Sequence, residues 1–412
     1  MYHSLAAGVP SINLDTWLLP RNAIVELLSR AMRSADIGII EGVMGLFDGR
    51  SGEGETGSTA ELAKLLNLPV VLVIDAAKAA ASVAATALGF RMFDPEVNIA
   101  GIILNKVGSA KHYDLCEEAL VQRGFRVFGY LPAKSELTIS ERHLGLVPTV
   151  ESDTAVITQK NLVSQIQATI DYRELLDIAE EVRPPLNASD SIFPLESVRP
   201  TVKIGIARDK AFSFYYEDNL ALLEAWGAEI VSFSPLLDSH IPKDVSALYI
   251  GGGFPEMYAK ELSANQEMLS SIKQAALKGM PIYGECGGLM YLGKQLIDMA
   301  GTAHPMVGAI PASTRLQGSK LTIGYRRIKA LRDTMLLARG DVVRGHEFHW
   351  SALDNLPEKD AAYSILDVPE REEGFIVDNV LASYVHLHFA TSPGLAQRFI
   401  SAAKKFQAGL HA

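Results

Sequence analysis

The stretch Met280–Gly293, MPIYGECGGLMYLG, decides how the second half of this chain is read. Its apolar opening reads as a short buried strand, and LMYLG reads as the start of a helix, so Cys286 falls at the strand-to-helix turn. The flanking glycines permit sharp backbone angles and clear side chains from the approach of a ligand. A thiol there faces the positive end of a helix, which favours thiolate over thiol. Taken alone, the same pattern also suits a small buried cysteine at a tight turn. The surrounding sequence has to separate the two.

Upstream of that stretch, TVKIGIARD, AEIVSFSP and VSALYIGGG are apolar runs that end in polar or Gly-rich turns, with helical segments between them. The first half repeats the style. ADIGIIEG, LPVVLVIDA, VNIAGIILNKV and FRVFGYLP read as buried strands, and GSTAELAKLLN and KHYDLCEEALVQRG as helices. Alternating buried strands and helices indicate α/β architecture with two doubly wound parallel sheets. The segment VRPPLNASDSIFPLESVRP, Val182–Pro200, has four prolines and no sustained period, and reads as a linker. The expected division is 1–185, a linker over 186–200, and 201–412.

The composition narrows the function classes. A chain of 412 residues with 48% hydrophobic and 21% charged residues has ample material for large cores. A formal net charge of −10, with no basic run, argues against nucleic acid as a partner. The two cysteines, Cys116 and Cys286, make no disulfide framework and suit a reducing, cytoplasmic compartment. MYHSLAAGVPSINLD has neither the basic start nor the apolar core of a signal peptide. The most apolar region is interrupted by Asp75 and Lys78, so no membrane span is expected.

In doubly wound sheets ligands gather at the carboxyl ends of the strands. In IIEGVMGLFDG, Glu41 and Asp48 flank a Gly-rich turn. Such carboxylates suit Mg²⁺ and nucleotide phosphates, although a solvated turn with incidental acids gives the same pattern. Asn105, in LNKV, ends another strand and offers a side-chain amide to a purine edge. A phosphate loop of the form G-x-x-x-x-G-K-[ST] occurs nowhere in these residues. In the second half, the glycines of LYIGGGFPE present backbone N–H groups able to stabilise an oxyanion. ASYVHLHF places His386 and His388 at alternate positions of a strand-like run. A cysteine at a nucleophile turn, a triple-Gly loop and a His-bearing strand together favour a thiolate attacking a carbonyl, with His moving the proton.

The motifs GGGFPE, YGECGGLMYLG and SYVHLHF resemble a class I glutamine amidotransferase domain of the cobyric-acid-synthase type. Together with IIEGVMGLFDG, ERHLGL, FSFYYEDNL, GYRR and RGHEFHWS, in that order, nearly the whole chain resembles the cobyrinate/hydrogenobyrinate a,c-diamide synthase family of corrinoid biosynthesis. The resemblance implies that Cys286 is the nucleophile releasing ammonia from glutamine and that His386 raises its nucleophilicity. It implies an oxyanion pocket from Gly252, Gly253 and Gly287. In the first half, a dethiobiotin-synthetase-like nucleotide-binding domain, Glu41 would help hold Mg²⁺, Asp48 would act near the phosphorylated carboxylate, and Asn105 would meet the adenine. The implied partners are cobyrinic acid, glutamine and ATP, and a homodimer is left open.

Two departures from the family pattern stand out. Many amidotransferases carry a Glu two residues after the catalytic His, where this chain has His388, so a Cys–His pair without a third member is expected. The family's opening strand, phosphate loop and acidic substrate loop, roughly fifty residues by the usual size of such a unit, precede the position that Met1 matches. The expectation is a start codon placed too late, with a deletion or a fragment as the alternatives. Hydrogenobyrinic acid and nickel sirohydrochlorin are rival substrates, and a tetrapyrrole-binding module without turnover is a rival of another class. A γ-glutamyl hydrolase uses the same Cys–His chemistry but leaves the first half and RGHEFHWS unexplained.

Overall fold

The structure, a computed structural model, describes residues 2–50, 52–139, 141–142, 145–146, 155–184, 192–318, 321–354 and 361–410. The chain forms two compact units. One comprises Met1–Thr16 and Leu28–Asn187, the other Trp17–Leu27 and Ala188–Ala412.

The first unit is built on three parallel strands in sequential order: β1 (Val70–Asp75), β2 (Ile99–Val107) and β3 (Val127–Pro132). Helices Thr59–Leu66, Ser82–Phe93 and Ala110–Val121 connect and cover them. The first of these helices starts with a variant of the capping box, in which Glu61 reaches one residue beyond the N-cap. The Ser58 hydroxyl accepts from the Glu61 N–H at 3.1 Å, and the Glu61 carboxylate turns back to accept from the Gly57 N–H at 2.8 Å. Three of the four strands expected here form where the apolar runs place them. The fourth, ADIGIIEG, does not: residues 37–41 join no ladder, and Ile39 is 89% exposed. A buried parallel strand needs a neighbour to satisfy its N–H and C=O groups. Among the described residues β1 is the sheet's edge and nothing pairs beside it. ERHLGL lies partly outside the described residues.

The second unit carries a ten-stranded sheet. Its parallel part contains β4 (Val202–Ala207), β5 (Ala228–Phe233), β6 (Ala247–Ile250), β7 (Ile282–Glu285) and β12 (Val380–Ser383). Its antiparallel part contains β8 (Thr322–Ala330), β9 (Val342–His349), β10 (Ala361–Ile365), β11 (Glu372–Val377) and β13 (His386–Leu387). The spatial order is β13-β9-β8-β10-β11-β12-β7-β6-β4-β5. The four strands read from the sequence are β4 to β7; β4, β6 and β7 are buried along almost their whole length, as expected of strands covered on both faces, while β5, at the sheet's edge, is buried only at its two ends. β7 lies inside the parallel part with β6 on one side and β12 on the other, which places its carboxyl end near the middle of the sheet.

Residues 186–191 of the expected linker lie outside the described residues. The rest is not a free tether: Ile192 and Phe193 are buried, and Ile192 is held at both ends. Its N–H donates to Glu26 at 2.6 Å, and its carbonyl accepts from the Trp226 indole at 3.2 Å. No helix among the described residues is long and apolar enough to cross a membrane.

Candidate active site

Cys286 directly follows β7 and precedes the short helix Gly287–Leu292. Its φ of 52° and ψ of −100° lie in a region that costs a residue with a Cβ about 1–3 kcal/mol and persists only where the surroundings impose it. The Cys286 N–H donates to the Ser383 carbonyl on β12 at 2.7 Å, and its carbonyl accepts from the Met290 N–H at 3.2 Å. Gly288 could not carry a side chain, because a Cβ there would sit 1.9 Å from the Ile250 carbonyl oxygen. The turn is thus pinned by both neighbouring strands, and Cys286 is left 6% exposed.

His386 comes from β13, directly opposite His346 of β9. Its Nδ1 lies 2.9 Å from Glu285 Oε1, which leaves Nε2 for the thiol. Burial pulls the pKa of His386 down, but the charge and hydrogen bond of Cys286, and then those of Glu285, outweigh burial and hold it at about 10. The ring is therefore held as imidazolium beside the sulfur, the partner that a cysteine nucleophile needs. His346 stacks on the His386 ring, with centroids 4.7 Å apart and planes within 14°. Burial and then the charge of His386 push His346 down to about 3, so it stays neutral, with Nδ1 at 3.1 Å from the Tyr216 hydroxyl.

His388 does not take the third place in a triad. Its Nε2 lies 3.4 Å from Asp218, and its Nδ1 accepts from the Ala390 N–H at 3.2 Å. The backbone around it is bracketed by Asn219, whose amide donates to the Leu387 carbonyl at 2.8 Å and accepts from the Phe389 N–H at 2.6 Å. Tyr216, Asp218 and Asn219 all belong to FSFYYEDNL. That motif is the clamp that holds SYVHLHF, a role the sequence reading did not assign to it.

In the glycine loop the Gly252 N–H donates to the Phe214 carbonyl at 3.1 Å, and Phe214 returns an N–H to Gly252 at 3.0 Å. What Gly252 supplies is space, since a Cβ there would come within 2.8 Å of His386 Cε1. We therefore expect Gly252→Ala to displace the ring and to lower glutaminase kcat by about tenfold or more. Unchanged kcat would show that the ring has room to spare. The Gly253 and Gly287 N–H groups bond to no described residue, and a Cβ on Gly287 would lie 3.1 Å from the Gly253 nitrogen. Gly287 is the first residue of its helix, where N–H groups lack intrahelical partners, and Gly253 lies beside it in the loop after β6. The Tyr215 hydroxyl steadies the loop by accepting from the Gly251 N–H at 2.8 Å.

The structure thus gathers Cys286, His386, Gly252, Gly253 and Gly287 in the second unit. The remaining site candidates lie in the first. Glu41 is exposed, with His3 Nε2 at 2.6 Å, and Asp48 folds its carboxylate over Gly45 in the following turn. Asn105 lies two residues before the end of β2, opposite Asp75, the last residue of β1, and its side-chain oxygen accepts from the Lys106 N–H at 2.9 Å. Lys106 also reaches Asp75 at 2.8 Å. Among the described residues no three His, Cys, Asp or Glu side chains form a cage for a metal.

A cysteine at a strained elbow beside a buried imidazolium fits the chemistry of a class I glutamine amidotransferase domain, which is the class this sheet and its turns define. The family model for the CobB/CobQ-like glutamine amidotransferase domain matches residues 203–394, and that for an AAA domain matches residues 16–141. The cobyrinate a,c-diamide synthase of Dehalococcoides mccartyi strain CBDB1 is 45% identical, over 98% of this chain and 89% of that protein. The enzymes of that name from Priestia megaterium and Salmonella typhimurium strain LT2 are 41% and 40% identical, each over 98% of this chain and over 87% and 89% of their own lengths. The chain belongs to the cobyrinate a,c-diamide synthase family.

Proposed function

We propose that the protein amidates the a- and c-carboxylates of cobyrinic acid in the cytoplasm, with ATP as the activating substrate and glutamine as the nitrogen donor. The observation that carries this reading is the Cys286–His386 pair, set against two unoccupied N–H donors in a chain so similar to enzymes of that name. The thiolate of Cys286 attacks the carboxamide carbon of glutamine, and the Gly253 and Gly287 N–H groups take up the developing oxyanion. His386 passes its proton to the departing nitrogen, so ammonia leaves and a thioester remains. Water, deprotonated by His386, releases glutamate and restores the pair. At the ligase site a carboxylate of the macrocycle attacks the γ-phosphate of ATP and expels ADP. Ammonia then displaces phosphate from the acyl phosphate to give the amide.

In this reading residues 1–185, apart from Trp17–Leu27 which packs into the second unit, form the ligase domain, 186–200 the linker, and 201–412 with Trp17–Leu27 the amidotransferase domain. Magnesium commonly binds through one or two carboxylates plus substrate phosphates, a mode open to the exposed Glu41. Asp48 faces the activated carboxylate, and the NH₂ end of Asn105, whose oxygen is engaged, meets the adenine. Glu41→Gln is expected to weaken ATP turnover about tenfold or more, with no change in the alkylation of Cys286 by a glutamine analogue. Unchanged ATP kinetics would make Glu41 a solvated turn residue. The test of the whole proposal is to incubate the protein with ATP, glutamine and each of cobyrinic acid, hydrogenobyrinic acid and nickel sirohydrochlorin. Diamide is expected from cobyrinic acid. Diamide from another macrocycle alone would overturn the substrate, and no diamide from any would overturn the reaction.

A further inference from the structure

We propose that Glu285, the residue immediately before the nucleophile, is the carboxylate that positions His386, so that the triad is completed from the strand of the cysteine rather than from the strand of the histidine. This deepens the amidotransferase reading above and rests on it. Three observations carry it. Glu285 is 1% exposed, and one carboxylate oxygen lies 2.9 Å from His386 Nδ1. The other oxygen accepts from the Tyr283 hydroxyl at 2.7 Å, from the Leu387 N–H at 3.2 Å and, at the outer limit, from the Tyr249 hydroxyl at 3.5 Å. Finally, the position where many amidotransferases carry this carboxylate is His388, which is turned to Asp218.

The arrangement is possible because of the backbone at Cys286. In an ordinary strand, neighbouring side chains point to opposite faces, so Glu285 and Cys286 could not both reach one ring. The positive φ of Cys286 ends the strand and turns the thiol back. The imidazole is then held between consecutive residues, Glu285 at Nδ1 and Cys286 toward Nε2. The bond to the Leu387 N–H ties the same carboxylate to the backbone next to His386, so ring and main chain are fixed together. A buried carboxylate with donors on both oxygens cannot rotate away. It fixes the proton on Nδ1 and stabilises the imidazolium, the role a buried carboxylate plays beside a catalytic histidine elsewhere.

The test compares wild type with Glu285→Gln. We expect glutaminase kcat to fall roughly 100-fold, with KM for glutamine within about threefold because Glu285 does not touch substrate. Inactivation of Cys286 by a glutamine-analogue alkylator should need higher pH than in wild type. Amidation supported by ammonium salts should stay within about twofold, since it bypasses the thiol. Glutaminase kcat within threefold of wild type, or a change confined to KM, would overturn the inference. If the variant does not fold, ¹⁵N-histidine NMR of the wild-type protein decides. A strongly downfield Nδ1 proton on His386 is expected, and its absence counts against Glu285. A wild-type protein with no glutaminase activity would instead sink the underlying reading, so the two failures are distinguishable.

Discussion

Cys286→Ser is expected to remove glutamine-dependent amidation by a factor of about 10⁴ or more, while amidation driven by ammonium salts survives within about twofold. The reason lies in what the elbow contributes. The strained φ of Cys286, the Gly253 and Gly287 donors and the imidazolium of His386 all act on a sulfur nucleophile. A serine hydroxyl, far less acidic than a thiol, would give His386 no anionic partner and would not attack an amide at a useful rate. Free ammonia needs none of these groups. Parallel assays with the two nitrogen donors are the measurement. Equal loss with both would mean that Cys286 belongs to the folding of the second unit or to the ligase chemistry, and the division of labour proposed above would fail.

The second large effect concerns stability. Glu347 is fully buried and lies between two guanidinium groups, with Arg326 Nε at 2.5 Å and Arg371 Nη1 at 2.9 Å. Burial pushes its carboxyl pKa up, but His349, Arg371 and Arg326 more than reverse this and hold it at about 2. Glu347→Gln leaves two cations without their counter-charge. Breaking a buried pair from one side typically costs about 3–5 kcal/mol, which for a unit of this size lowers Tm by roughly 10 °C. The pH dependence follows from the sign of the shift. A depressed carboxyl stabilises the fold fully above its unfolded value near 4.3 and loses that contribution as pH falls toward 2. Wild type should therefore lose Tm steadily between about pH 4.5 and pH 2 through this group, and the variant should lack that share of the slope. Thermal melts of both proteins across that window check it. Parallel curves would show that Glu347 contributes no such linkage.

Much of this was legible in the sequence, because the decisive signals are local. GECGGL announces a turn with glycines where side chains cannot fit, and β4 to β7 are apolar runs bounded by turn residues. Cys286 and His386 followed from residue type and from the resemblance. What stayed hidden depends on pairings between distant segments. Glu285 was in plain view beside the cysteine, yet its role appears only when His386 is folded onto it. Asn219 and Tyr216 act on residues far downstream, and no spacing rule links them. Backbone N–H groups such as that of Gly252 carry no mark in sequence of whether they are already bonded. β8 to β11 are antiparallel strands whose sequences lack the long apolar run that marks a buried parallel strand. ADIGIIEG was misread for the converse reason, since an apolar run becomes a strand only if a neighbour offers it a ladder.

The membership of Trp17–Leu27 in the second unit has a consequence for how this amidotransferase half can be handled as a piece of protein. Trp17, Leu18, Leu19, Ile24 and Leu27 are buried, and burying each is worth roughly 1.5–3 kcal/mol. Trp17 stacks on Tyr325, its carbonyl accepts from Arg344 at 2.7 Å, and Glu26 anchors Ile192. The half that holds the catalytic cysteine is therefore woven from two separated stretches of the gene. It is no portable cassette: a cut anywhere near residue 200 removes part of its own core, and the missing piece is a short peptide that could in principle be supplied from outside.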